Sequence, residues 1–390
     1  MIILEAEGKK YSNWTNVRIE RSLDAISGAF EFEAVADEVQ SFPILRGTAV
    51  RAYINNTVVM TGYVDTIQVS YSANEHRINI KGRDKTADIV DSHIDEKMEF
   101  KSEITLETVI RRVLDNLGMT DVKVINKVEG LAPFKKEELV SGKIGEKAFE
   151  FIDKYACKRQ VVLTTDGFGN IVISRASDNL LKITLRNEVD APFNTIKSAQ
   201  VEYDDTERYH TYKMVTQANH SAEPDMTDDP KKSTNRVGTY TDDKMRASRT
   251  YVAVAEGNGK EKSVEERAKW EANIRIAKSA KYSCIHVGHS PYSHDGEPYQ
   301  PNSLVTVEDQ FADVSDNLLI VKTVHTLSPS DGSLTELHLL TKEAFLLLLQ
   351  EKAEKGDKGG DGGKKKGDGK FVDTKYDNNA AEYFKHYKEK

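Results

Sequence analysis

The sequence predicts a mainly β protein of the α+β class: two similar small antiparallel β-barrel units, a smaller α+β unit between them, and a flexible C-terminal tail. Three observations predict it. Period-two alternation broken by turn residues runs through residues 17–82 and returns after Thr195; a helical stripe, a second helix and a hairpin fill the stretch between; and residues 356–370 contain only Gly, Lys and Asp. The units implied are 1–92, 93–185, 186–349 and 350–390.

The elements follow in order. Residues 1–7 read as a first strand. Val17-Arg18-Ile19-Glu20-Arg21 and Phe30-Glu31-Phe32-Glu33-Ala34 alternate on either side of the turn Ile26-Ser27-Gly28. Val50, Ala52 and Ile54 alternate up to a turn at Asn55-Asn56; a long strand covers 58–69; Ile78-Asn79-Ile80 closes the unit after a turn at 71–74. Short antiparallel strands at this spacing make a small barrel or a sandwich. After Asp91, Leu106, Val109, Ile110, Val113, Leu114 and Leu117 form one helical stripe, with Ser102 or Thr105 as N-cap and Gly118 just past the end. A second helix is expected over 145–157, burying Ala148, Phe149, Ile152 and Tyr155, and then a hairpin of 160–165 with 170–174 around Asp166-Gly167-Phe168-Gly169. Farther on, strands are expected at 199–203 and 212–217, a long polar loop at 219–248, and a helix over 263–281 opened by the capping box Ser263-Val264-Glu265-Glu266, with Trp270, Ile274 and Ala277 on one face. Strands at 284–288, 304–308, 318–327 and 335–340 complete the pattern.

The last three strands echo the first unit. The strand after Gly47 matches the one after Asn302, the long 58–69 strand matches 318–327, and 78–80 matches 337–339. This is either an internal duplication or the pattern that any two antiparallel meanders share.

Composition excludes several classes. The chain has 390 residues, 55 Lys and Arg against 63 Asp and Glu, and a mean hydropathy of −0.56. Its longest apolar run, residues 344–349, is six residues, far short of the roughly 20 that a membrane helix needs, and the first residues do not form a secretory signal. Two cysteines, Cys157 and Cys284, argue against a disulfide framework and suit a reducing cytoplasm. A net charge of −8 makes tight nucleic-acid binding a poor fit; residues 351–390 carry 11 Lys and Arg against 9 Asp and Glu, so the rest of the chain stands at −10.

Cys284, His286 and His289, with His294 beyond, have the residue types of a transition-metal site, but Cys284 and His286 lie two apart in an alternating strand. Residues of a strand face and a polar loop are the favoured reading. Arg83, Asp84, Lys85, Asp88 and Asp91 could do acid–base work, yet no nucleophile, paired histidine or phosphate loop accompanies them, which favours a charge-paired corner between strand and helix. No catalytic residue and no cofactor is assigned. Phe345, Leu346, Leu347, Leu348 and Leu349 would cover every face of a helix, more than one subunit can bury, and are expected to dock on a neighbouring chain. Beyond the Gly/Lys/Asp linker, Phe371, Tyr376, Tyr383 and Phe384 are read either as a tethered docking peptide or as a disordered end.

Asn13-Trp14-Thr15-Asn16-Val17-Arg18-Ile19-Glu20-Arg21-Ser22-Leu23-Asp24, Ile26-Ser27-Gly28-Ala29-Phe30, Thr61-Gly62-Tyr63-Val64-Asp65 and above all Lys81-Gly82-Arg83-Asp84-Lys85-Thr86-Ala87-Asp88-Ile89-Val90-Asp91 resemble the baseplate hub proteins of contractile-tailed phages, the Mu-like tail proteins foremost, with the T4-like hub and the P2-like late-control D proteins as relatives. The resemblance runs to about Leu340 and is most specific in the first 92 residues. It implies a non-enzymatic homotrimer with two tube-type barrels per subunit. Such a ring would adapt the sixfold tail tube, or a tube-adaptor protein, to a threefold central spike. Baseplate wedge proteins would surround it, and DNA would only pass through its axial channel. It also implies a virion component assembled in the host bacterial cytoplasm, without membrane insertion. The rival readings are a tail-associated cell-wall hydrolase, which needs paired carboxylates or a metal triad, and the hub of a related contractile injection or secretion system.

Overall fold

The computed structural model describes residues 1–35, 44–72, 76–190, 193–216, 237–255, 261–293 and 295–342. Strands β1 (Ile2–Ala6), β2 (Lys9–Tyr11), β3 (Asn16–Ser22), β4 (Ala29–Val35), β5 (Ala49–Ile54), β6 (Thr57–Tyr71) and β7 (His76–Asp84) come first. Then follow α1 (Ala87–Asp91), β8 (Met98–Phe100), α2 (Leu106–Asn116), β9 (Val124–Asn126), β10 (Val140–Gly142), α3 (Ala148–Lys158), β11 (Val162–Thr165) and β12 (Ile171–Ser174). The remainder comprises β13 (Leu180–Asn187), β14 (Ile196–Tyr203), β15 (Thr211–Thr216), β16 (Val237–Thr241), β17 (Thr250–Ala255), α4 (Glu261–Lys278), β18 (Ala280–Val287), β19 (Leu304–Asp309), β20 (Val314–Ser328) and β21 (Gly332–Leu340).

The expectation of two separate barrels is corrected. Strands from both ends of the chain join in one 13-stranded sheet, ordered β14-β18-β21-β20-β3-β4-β7-β6-β5-β1-β2, with β19 on β20 and β13 on β19. Among the described residues no barrel closes, because β3 gives its second edge to β20 across six pairs from Lys322↔Ser22 to Leu327↔Val17. The echo reappears as topology: β3-β4-β7-β6-β5-β1 and β14-β18-β21-β20-β19-β13 have the same order. Both long strands, β6 and β20, have 15 residues, and each has a register shift midway, between Val64 and Thr66 and between Ile320 and Lys322. One difference remains: β1 runs antiparallel to β5, whereas β13 runs parallel to β19.

One face of this sheet is apolar. Ile19, Phe30, Phe32, Ile78 and Ile80 pack with Trp14, and Leu327 of β20 joins the same core. The repeat-mate core holds Tyr282, Cys284, Leu337, Leu339 and Ile320. Between them, α2 and α3 pack on the sheet β11-β12-β9. Thr105 caps α2 by accepting the Thr108 N–H, worth about 1 kcal/mol, and Gly118 takes a φ of 71° after its end. In α3 the stripe differs from expectation: Phe151 is fully buried and Phe149 only partly, since packing on α2 and Phe134 sets the inward face.

Two further corrections concern the 219–248 loop and the following helix. Residues 237–241 form β16, which pairs with β15 to make the three-stranded sheet β16-β15-β17; residues 219–236 lie outside the described ones. Helix α4 spans Glu261–Lys278, so Ser263 lies within it and not at the N-cap position expected. Its buried stripe is Val264, Ala268, Ala272 and Ala277; Trp270 is only half-buried, with the Arg267 guanidinium stacked on it at 4.1 Å.

Candidate assembly interface

The strand alternation that builds the core puts a polar face on its back. Paired residues share a face, so the rung Thr66, Lys81, Glu31, Arg18 crosses β6, β7, β4 and β3, and the rung Lys322, His338, Ser283, Gln200 crosses β20, β21, β18 and β14. Charges on this eight-strand face neutralise one another: Lys81 reaches Glu31 at 2.9 Å, Arg18 reaches Glu20 at 2.8 Å, Arg77 reaches Glu33 at 3.5 Å and Lys281 reaches Glu202 at 3.8 Å. Exposed pairs of this kind contribute about 0–1 kcal/mol each, so they do little for stability. Their effect is a wide surface with little net field.

The corner after β7 separates its charges by side. Arg83 faces outward and holds Asp65 at 2.8 Å and Asp91 at 2.7 Å. Asp84 faces inward, is buried, and accepts the Thr86 N–H, the Thr86 hydroxyl and the Thr165 hydroxyl. Burial pushes its carboxyl up to about 6. Arg21, also buried, donates to the Thr165 carbonyl at 2.6 Å, and Thr61 donates to the Gly167 carbonyl. The network fastens the β11–β12 hairpin to the first strand set. Asp166 is occupied with its own turn, accepting the N–H groups of Phe168 and Asn170. Both carboxylates are taken up by these hydrogen bonds.

Cys284 and His286 lie on the core face of β18, and His289 is buried beyond it. His286 stands edge-on to Tyr299 at 5.3 Å and His289 edge-on to His325 at 5.4 Å. Burial pushes the Cys284 thiol up to about 12, a poor thiolate ligand. Among the described residues no three His, Cys, Asp or Glu side chains are grouped to hold a metal ion. The partner candidates Phe345, Leu346, Leu347, Leu348, Leu349, Phe371, Tyr376, Tyr383 and Phe384, and also His294, lie outside the described residues.

Residues 1–84 match the family described as Mu phage baseplate assembly protein GpP-like, N-terminal, and residues 86–175 the family described as baseplate hub protein gp44-like, second domain. The baseplate hub protein gp44 of Escherichia phage Mu is 28% identical over 365 residues, 92% of either chain. The chain thus resembles the Mu-like baseplate hub proteins. The 43 kDa tail protein of prophage MuSo2 from Shewanella oneidensis superposes on this chain with a TM-score of 0.73 at 28% identity, covering 89% of this chain and 99% of that one. A tail protein from Neisseria meningitidis MC58 gives 0.74 at 18% identity, covering 88% and 97%. These relatives are phage baseplate and tail proteins. What the sequence did not reveal is the way the two strand sets merge and the edges they leave open. The signal was faint: in Ile196–Tyr203 the apolar residues Ala199, Val201 and Tyr203 alternate without a matching partner run in the nearby sequence.

Proposed function

We propose that three copies of this hub close into a ring that joins the sixfold tail tube to the threefold central spike around an axial DNA channel, without enzymatic activity. The observation that carries the reading is the repeated strand order: two equivalent strand sets per chain offer six similar surfaces to a sixfold partner and three identical ones to a threefold partner. The polar face supports the channel. Eight strands per copy, 24 in a ring, trace about 115 Å at about 4.8 Å spacing, a backbone diameter of about 37 Å before tilt widens it. A wall of paired charges suits a polyanion that must slide. The Phe345 to Leu349 run and the aromatic residues of the tail are assigned to contacts with neighbouring baseplate proteins. Mass in solution tests the reading: a trimer that binds the spike is expected, and a stable monomer that degrades cell wall would overturn it.

A further inference from the structure

A cavity of about 740 Å³ lies where the central α+β unit meets the second strand set, a size and a place usual for binding sites. Residues 164–166 and 172–179 form one wall, residues 291–303 form the other, and the buried Arg21 side chain of β3 lines the space between them. The two walls are pinned to each other. Asn302, at a φ of 65°, accepts the Ser177 N–H at 2.9 Å and donates to the Arg175 carbonyl at 3.0 Å, and the Leu304 N–H reaches the Asn179 carbonyl at 2.9 Å.

Arg21 has five N–H donors, and among the described residues one acceptor takes one of them, the Thr165 carbonyl at 2.6 Å. Asp84 and Asp166 act on it through space, while their own oxygens accept from other donors. A buried guanidinium with donors to spare suits a carboxylate, which its planar fork holds in two parallel hydrogen bonds. Lys127 and Arg175 are exposed cations of the lining and Glu129 and Glu297 its exposed acids, so a polyanion would meet repulsion at the rim. Tyr292, 57% exposed, adds an aromatic surface there.

We propose that the cavity receives residues 371–384 of the same chain, with one carboxylate of Asp373, Asp377 or Glu382 on Arg21. Lys342, the last described residue before the tail, pairs with Asp178, whose neighbours Ser177 and Asn179 both line the cavity. The tail therefore departs from the cavity rim, and the 28 residues 343–370 have only to loop back. A tether of this kind holds the segment at about millimolar effective concentration, enough for a contact too weak to form between separate molecules. Charge and residue type agree. Residues 371–384 set three carboxylates against Lys375 and contain Phe371, Tyr376, Tyr383 and Phe384, whereas residues 356–370 hold five lysines against three aspartates and no aromatic residue. Anchored through a carboxylate, the segment leaves its outward aromatic side chains to the neighbouring baseplate proteins. The inference goes beyond the ring reading and does not depend on it.

A disulfide trap in the full-length chain tests the contact. Gln300→Cys, in the cavity lining, is combined with Tyr383→Cys and Cys157→Ser; the comparator carries Phe311→Cys instead of Gln300→Cys, about 20 Å away along β19. On mild oxidation the cavity pair is expected to close within one chain at least about tenfold faster than the comparator, read by mass under denaturing, non-reducing conditions. Asp373→Asn, Asp377→Asn and Glu382→Gln together, and separately Arg21→Gln, are expected to bring that rate down to the comparator's. Arg21→Gln also loses the Thr165 contact, so the tail variant decides the matter if the fold suffers. Equal rates at the two positions, a rate unmoved by neutralising the tail, or cross-links only between copies overturns the proposal. The unmodified protein's mass in solution is measured alongside: a monomer there counts against the ring reading and leaves this contact standing.

Discussion

His325 sits fully buried between the Thr335 hydroxyl and the Tyr299 carbonyl, each 3.1 Å away. Burial first, then the neighbouring His289, pushes its imidazole down to about 3 from an ordinary 6.5, so the native state holds it neutral. Its contribution is complete above pH 6.5 and is lost as pH falls toward 3, on the order of 3 kcal/mol by pH 4.5. Asp84 has the opposite sign. Its carboxyl is raised to about 6, so it costs stability above that pH and relieves the cost as pH falls toward 3.8, on the order of 2 kcal/mol by pH 4.5. The two offset each other in the native chain. Urea unfolding at pH 7 and pH 4.5 should show a steeper acid loss for Asp84→Asn than for the unmodified protein, and a shallower one for His325→Gln. Equal pH slopes in all three would refute these assignments.

At the scale of elements, β6 and β7 approach too closely for side chains at two rungs. A Cβ on Gly62 would lie 1.8 Å from the Arg83 carbonyl oxygen, and one on Gly82 would lie 2.1 Å from the Tyr63 carbonyl oxygen and 2.3 Å from the Phe30 ring. The carbonyl obstacles are backbone atoms, so a side chain at either position forces β6 and β7 apart. Gly82→Ala is therefore expected to cost about 3 kcal/mol, the upper end of ordinary overpacking. Circular dichroism melts measure it, and a loss below about 0.5 kcal/mol would show that the strands separate easily. The Thr61-Gly62-Tyr63 and Lys81-Gly82-Arg83 runs, two of those that resemble the hub family, thus have a packing reason for their glycines.

Across the whole molecule, the polar face owes its neutrality to alternating signs on adjacent strands. Replacing Glu20, Glu31 and Glu33 together by Gln leaves Arg18, Lys81, Arg77 and Lys322 without their carboxylates. In a ring that change is repeated three times around the channel. Duplex DNA is then expected to be retained in a mobility-shift assay at about 50 mM salt and released at about 200 mM, as counterion release dictates, whereas the unmodified protein should retain none. Retention by both, or by neither, would count against this face as the channel wall.

The sequence by itself determined the β-rich class, the α2 stripe and the hairpin at 162–174, because these are periodic and local: each residue's role follows from neighbours within a few positions; the choice of Thr105 over Ser102 as cap, and the equivalence of the 304–340 strands with the 49–84 strands, were settled by the structure. It misjudged α4, where alanines between bulkier residues form the buried stripe, and α3, where Phe151 displaces Phe149, because which face turns inward depends on what packs there. Only the tertiary structure decided that β3 and β20, some 300 residues apart, share six rungs and merge two expected barrels into one sheet. Edge pairing is a backbone interaction, indifferent to side-chain identity, so no local pattern announces the partner.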